Sequence, residues 1–233
     1  MKEQVKASFS KSAATYDQHA VMHEQIINEL LASINGNYQK ILDIGCGTGT
    51  LVAKLVDKFP QAEIIGIDLA PGMIEQAKAK VNTPEVAFLI GDGEALDFKA
   101  GSFDLVVSTS SLHWMDCQQV FKEIRRVLKP GGAFFFTTFG PATLAEIKQT
   151  GLTVNTFSSK EDLLAVLNQY FLIKTFKAKI IKLEFTNIFK LGYYLRQIGA
   201  RLTEKRVVHT GLTKLIASPI QATFEIYYCS AFL

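Results

Sequence analysis

The sequence predicts an α/β protein built on a doubly wound, mostly parallel sheet with helices in front of it. Short apolar runs alternate with amphipathic stretches between Lys40 and Phe139, the pattern of strands joined by crossover helices. The first of these runs ends in a glycine-rich turn, Gly45-Cys46-Gly47-Thr48-Gly49. The 233 residues with 48% hydrophobic content suit one large core. A single domain is therefore expected over 1–233, divided into helices at 1–36, a sheet core at 37–140 and further helices and closing strands at 141–233.

The stretch from Val5 to about Ile34 reads as two helices broken near Tyr16-Asp17. The second has apolar residues at Val21, Ile26, Ile27, Leu30, Leu31 and Ile34, a roughly helical spacing. Strands follow at Lys40–Ile44, Ala62–Leu69, Val86–Ile90 and Phe103–Ser108. Helices are expected at Gly49–Phe59 and at Pro71–Val81, the latter with proline in its first turn. A further helix at Cys117–Leu128 is ended by Lys129-Pro130-Gly131-Gly132, before a strand at Ala133–Phe139. Beyond Phe157 come a helix (Lys160–Leu167), a strand (Phe171–Leu183), a helix (Asn187–Ile198) and a strand (Ala222–Leu233) that periodicity alone does not place.

Composition narrows the partners. No run approaches the ~18 apolar residues of a membrane span, and the positive N-terminus lacks the apolar block of a signal peptide. Cys46, Cys117 and Cys229 form no metal-binding or paired spacing, which fits free thiols in a cytoplasm. The net charge of +3 hides an asymmetry: residues 1–159 hold 14 Lys and Arg against 17 Asp and Glu, whereas residues 160–233 hold 11 against 5. That basic part reads either as solvated surface or as a docking face for an anionic partner. Its aromatics are too few to point to nucleic acid.

Ligands of open α/β sheets bind beyond the carboxyl ends of the strands. The turn after Ile44 lacks the third glycine of a dinucleotide loop, since Thr50 stands there. Asp43 just ahead of it would oppose a pyrophosphate, and suits instead a cationic ammonium such as the methionine end of S-adenosylmethionine. Asp68, closing the second strand, can accept hydrogen bonds from ribose hydroxyls, or can cap the next helix. Asp92 within Gly91-Asp92-Gly93 can accept from an adenine amine. With the turn after Ser108, these features would meet in one cleft.

The segments Leu42–Gly49, Gly66–Asp68, Gly91–Leu96, Phe103–Ser108 and Val127–Gly132 together resemble the class I methyltransferase signature. The resemblance implies a Rossmann-like sheet of seven strands, the last antiparallel, that binds S-adenosylmethionine. The cofactor set is then Asp43, Gly45, Gly47, Gly49, Asp68, Leu69, Met73, Gly91, Asp92, Gly93 and Ser108. Flanking segments are similar to the malonyl-[acyl-carrier protein] O-methyltransferases of biotin synthesis. They are Phe9–Ala20, Leu112–Asp116, Thr137–Leu144 and Leu195–Ala200.

That resemblance implies methylation of the free carboxylate of malonyl on acyl-carrier protein, or on CoA; a cytoplasmic monomer is expected. Tyr16 is the expected lid residue, and His113 a donor to the acceptor; these two are the catalytic candidates. Trp114 and Arg196 would contact substrate, and Lys190, Arg201, Lys205 and Arg206 would meet the acidic carrier protein. Another small carboxylic acid, a quinone precursor, or cofactor binding without transfer remain as other readings.

Overall fold

Among residues 2–148, 154–199 and 219–233, which the computed structural model describes, the periodic segments form seven strands and eight helices. Helices α1 (Lys2–His19) and α2 (Val21–Ser33) precede the sheet. Then β1 (Lys40–Ile44), α3 (Thr50–Lys58), β2 (Glu63–Asp68), α4 (Pro71–Lys80), β3 (Val86–Ile90) and β4 (Phe103–Thr109) alternate. A short 3-10 turn at Leu112–Trp114 leads into α5 (Cys117–Val127) and β5 (Leu128–Phe139). The chain closes with α6 (Ala145–Lys148), α7 (Lys160–Leu167), β6 (Leu172–Phe185), α8 (Ile188–Gln197) and β7 (Ile220–Phe232). No helix among the described residues is long and apolar enough to cross a membrane.

The strands join into one sheet in the order β3-β2-β1-β4-β5-β7-β6. Strand order reverses between β1 and β4, which pair in parallel through Ile41–Asp43 and Leu105–Val107. Strand β7, which sequence periodicity left unplaced, is inserted antiparallel between β5 and β6. Its near-continuous burial suits that central position. Strand β6 takes the edge, and its exposed Lys174, Lys177 and Lys182 discourage pairing with another chain. Part of the basic surplus of residues 160–233 is therefore solvated sheet edge.

Two boundaries differ clearly from the sequence expectation, and most others agree within one or two residues. The first helix does not break at Tyr16-Asp17 but runs to His19, and the chain turns at Ala20. Neither residue obstructs a helix, and Asp17 is held from outside, accepting from Thr48 and pairing with Lys80. Strand β5 begins directly at Leu128 rather than at Ala133. Its pairing with β4 slips between Phe103 and Leu105, where a bulge absorbs the unpaired proline and glycines.

Alternation along the strands divides the core. Leu42, Ile44, Val106, Phe134 and Phe136 face α5 and α7, while Ile41, Ile64, Leu105, Val107 and Phe135 face α2, α3 and α4. A third cluster lies under α8, joining Leu191 and Leu195 to Phe139, Phe224 and Ile226. Phe121 of α5 is wholly buried, with Phe134, Phe136 and Phe171 at 6.0, 6.0 and 6.3 Å between ring centres. Phe121→Ala should cost about 3–5 kcal/mol in urea unfolding; a loss below about 1 kcal/mol would show that this ring is not part of a packed core.

Candidate active site

At the carboxyl end of β1 the chain doubles back so tightly that Gly45 lies against Ser111. A side chain at Gly45 would bring its first carbon to 2.4 Å from Ser111 Cβ, and φ there is +72°, a conformation glycine tolerates. The amides of Gly45 and Cys46 both donate to Ile67 O at 2.8 and 2.9 Å, lashing the turn to β2. Gly47 N donates to Asp68 Oδ2 at 3.0 Å and Ala70 N to Oδ1 at 2.8 Å. Asp68 is thus oriented at the rim and is not the helix cap, a position Ala70 takes without a side-chain bond. Each carboxylate oxygen keeps a lone pair for a further donor.

Asp43 continues the Ile41 face of β1 into the space beneath this turn. It is fully buried, and neither of its oxygens meets a hydrogen-bond partner among the described residues. Burial first, and then the charge of Asp68, push its carboxyl up to about 8. A buried carboxyl without a donor is costly, and a nearby cation would favour its ionised form.

Two adjoining cavities open above the rim, with volumes of about 100 and 250 Å³. Tyr16, Gly45, Gly47, Thr109 and Ser110 border both. The first also takes Asp68, Leu69, Met73, Gly91, Asp92, Gly93 and Trp114. Ten residues singled out from the sequence therefore share one cavity wall. The turn after Ser108 contributes Thr109, Ser110 and Ser111.

Five expected site residues stand elsewhere. Asp43 lies behind the wall, as described. Gly49 starts α3 with φ +78°, and a side chain there would press Ala77 and Phe88 at 3.1 Å, so its place is explained by packing. Ser108 is fully buried and spends its hydroxyl on Ile44 O at 2.8 Å, bracing β4 against β1. His113 sits among Trp114, Phe139 and Phe157, with ring centres 4.9, 5.0 and 5.4 Å away. Burial, helped by His23, lowers its pKa to about 3, so it is a neutral imidazole. Arg196 is exposed in the last turn of α8 and borders neither cavity, because that helix turns Leu191 and Leu195 inward instead. Lys190 is also exposed on α8, and Arg201, Lys205 and Arg206 lie outside the described residues.

Helix α1 roofs both cavities and is pinned at each end. Asp17 Oδ2 pairs with Lys80 Nζ at 2.6 Å, and Thr48 Oγ1 donates to Asp17 Oδ1 at 2.6 Å. At the other end Lys2 Nζ meets Asp92 Oδ2 at 2.6 Å and Glu94 Oε2 at 2.8 Å. Asp92, expected to be open to an adenine amine, thus has one oxygen engaged by Lys2 and the other by Glu94 N. That amine would have to displace an ammonium from a partly exposed pair, which is weakly held. The sequence did not point to Lys2 of the first cavity wall or to Lys80 and His23 of the second. Nothing local marks the two lysines, since their partners are 30 or more residues away in the chain.

A family model for a methyltransferase domain matches residues 41–132. An S-adenosylmethionine-dependent methyltransferase from Mesorhizobium loti aligns with a TM-score of 0.59 over 88% of this chain and 96% of that one, at 19% identity. The geranyl diphosphate C-methyltransferase of Streptomyces coelicolor aligns with a TM-score of 0.61 over 89% and 79%, at 15% identity. These likenesses establish the fold. The fold and the matched domain define an enzyme of the class I methyltransferases.

The malonyl-[acyl-carrier protein] O-methyltransferase of Nitrosospira multiformis is 31% identical over 97% of this chain and 87% of its own length. That of Methylococcus capsulatus is 31% identical over 97% and 91%. That of Hahella chejuensis is 39% identical over 69% of this chain and 60% of its own length. The chain belongs to the malonyl-[acyl-carrier protein] O-methyltransferase family.

The Asp43 carboxyl titrates near 3.9 in an unfolded chain and at about 8 here, facing Asp68 and Cys46. The folded protein therefore holds the extra proton. The stability this confers is complete below about pH 4 and is lost as pH rises toward 8. Asp43→Asn should melt at a temperature less dependent on pH between about 5 and 8 than the wild type; parallel melting profiles would mean that Asp43 is already ionised.

Proposed function

We propose that the cleft binds S-adenosylmethionine and transfers its methyl group to the free carboxylate of malonyl carried by acyl-carrier protein. The product is the methyl ester, an early step of biotin synthesis. The observation that carries this reading is the buried, unpartnered carboxyl of Asp43 beneath a glycine turn, a group that a bound cation would ionise. The acceptor is the one in the names of relatives that align over nearly the whole chain.

The residues fit the cofactor. Asp43 would balance its positive charge, Asp68 would accept from the ribose hydroxyls, and Leu69, Met73 and Gly91–Gly93 would wall the base. When bound, the cofactor supplies a methyl group on a sulfonium sulfur. The acceptor carboxylate, with a pKa of about 4, is ionised at neutral pH and requires no base. His113, a neutral imidazole, is therefore not asked to remove a proton; it can only donate or accept a hydrogen bond. What remains for the protein is to hold the acceptor oxygen in line and keep water out. Opposite charges cancel as the methyl moves, so a dry site favours transfer. Tyr16, half-buried where it borders both cavities, would close it.

Labelled methyl should pass from S-adenosylmethionine to malonyl-carrier protein as an alkali-labile ester, and not to acetyl-carrier protein. Folded protein that binds the cofactor but labels only free diacids or quinone precursors would overturn the acceptor assignment; no cofactor binding would overturn the whole reading. Tyr16→Phe should keep cofactor affinity within a few-fold and slow turnover by about tenfold or more, the scale of one hydrogen bond to a charged group. Unchanged turnover would remove Tyr16 from the transfer step.

A further inference from the structure

Besides Asp43, three side chains among the described residues hide a polar atom that no partner meets: His23 at Nδ1, His113 at Nδ1 and Tyr194 at its hydroxyl. Buried polar atoms are nearly always satisfied, so each exception calls for a cause. These three come from α2, the turn after β4, and α8, yet they surround one patch of rings. His113 and His23 both lie against Phe139, at 5.0 and 6.2 Å between ring centres. Phe139 in turn meets Phe224 at 6.4 Å, and Phe224 meets Tyr194 at 6.4 Å. His23 stands 5.9 Å from Tyr16. The two histidines are near enough for the charge of one to act on the other, as are Tyr16 and Tyr194.

We propose that His23 and Tyr194, together with His113, form the seat of the acceptor's carboxylate, which is held by uncharged donors instead of by a guanidinium or ammonium. This rests on the methyl-transfer reading above and names its acceptor subsite. A carboxylate offers about four lone-pair positions, enough to receive one donor from each group and leave one pair free to attack. Burial holds both imidazoles well below the ordinary histidine range and pushes the Tyr194 phenol above that of tyrosine, so all three are neutral near pH 7. A bidentate arginine would bind the same anion more tightly, but it would also occupy the lone pairs the reaction needs and damp their charge. Arg196, two residues beyond Tyr194 and therefore on the far side of the helix, is exposed. The seat adjoins the transfer point, because His23 borders the cavity that Gly45, Gly47 and Tyr16 also line. Phe139 and Phe157 supply apolar walls that keep the carboxylate poorly hydrated and reactive.

The test compares two ligands of the intact enzyme: malonyl-carrier protein as substrate, and acetyl-carrier protein, which lacks the carboxylate, as competitive inhibitor. His23→Leu and Tyr194→Phe should each raise KM for malonyl-carrier protein by about ten- to a hundredfold. The inhibition constant of the acetyl form and the affinity for S-adenosylmethionine should stay within about threefold. His23→Gln, which restores a donor, should recover most of the lost affinity. Equal weakening of both carrier forms, or unchanged KM in both variants, would overturn the proposal and leave the three atoms to water. Should the wild type transfer no methyl to malonyl-carrier protein at all, the acceptor assignment fails, a result separate from the loss of this seat.

Discussion

The close passage of Gly45 past Ser111 is the constraint around which the site is arranged. Two strands of a parallel sheet diverge at their carboxyl ends where strand order reverses, and β1 and β4 are that pair. For the chain leaving β1 to turn there and still be tied to β2 through Ile67 O, it must run against the turn leaving β4. Only a residue without Cβ fits. The same turn directs the Gly47 amide at Asp68 and roofs Asp43, so one backbone contact sets both acidic groups. Ser108 and Ser111 both donate to Ile44 O, which holds the opposite wall at a fixed distance.

The site is a compromise between order and unmet polarity. Asp43, His23, His113 and Tyr194 are buried with atoms that receive nothing from the described chain. Each would be replaced to advantage by an apolar group if stability were the only demand. One lies beneath the glycine turn, two lie against Phe139, and Tyr194 reaches the same patch of rings through Phe224. Helix α1 adds the cover. A side chain at Gly72 would come within 2.7 Å of Ser10 O, so α1 and α4 touch backbone to backbone, and the Asp17–Lys80 pair and the Lys2 contacts pin both ends.

Much of this was legible in the sequence. Strand and helix order from Lys40 to Phe139 follows from apolar periodicity, and the position of Asp43, Asp68 and Asp92 at one rim follows from acidic residues at or near the ends of successive strands. The glycines announced a sharp turn. What spacing could not reveal is which glycine faces the cavity and which faces packing: Gly47 borders the cleft, while Gly49 is held by Ala77 and Phe88. Ser108 was expected to touch the cofactor and Arg196 the substrate, yet one is spent on a backbone carbonyl and the other faces solvent. A helix places residues by angle, and a two-residue difference on α8 separates an inward phenol from an outward guanidinium.

The sequence by itself determined the class of fold and the strand ends where the cavities open, because both reside in local patterns of period and turn; the family likeness resided in whole segments such as Phe9–Ala20 and Leu112–Asp116. Tertiary structure alone decided that β7 lies inside the sheet and β6 at its edge, since strand order depends on long-range pairing that no local pattern encodes. It alone brought Lys2 to Asp92, and set His23 and His113 against Phe139 with Tyr194 beyond Phe224. Such meetings depend on how three separate elements pack on one sheet end, and packing is a property of the assembled chain.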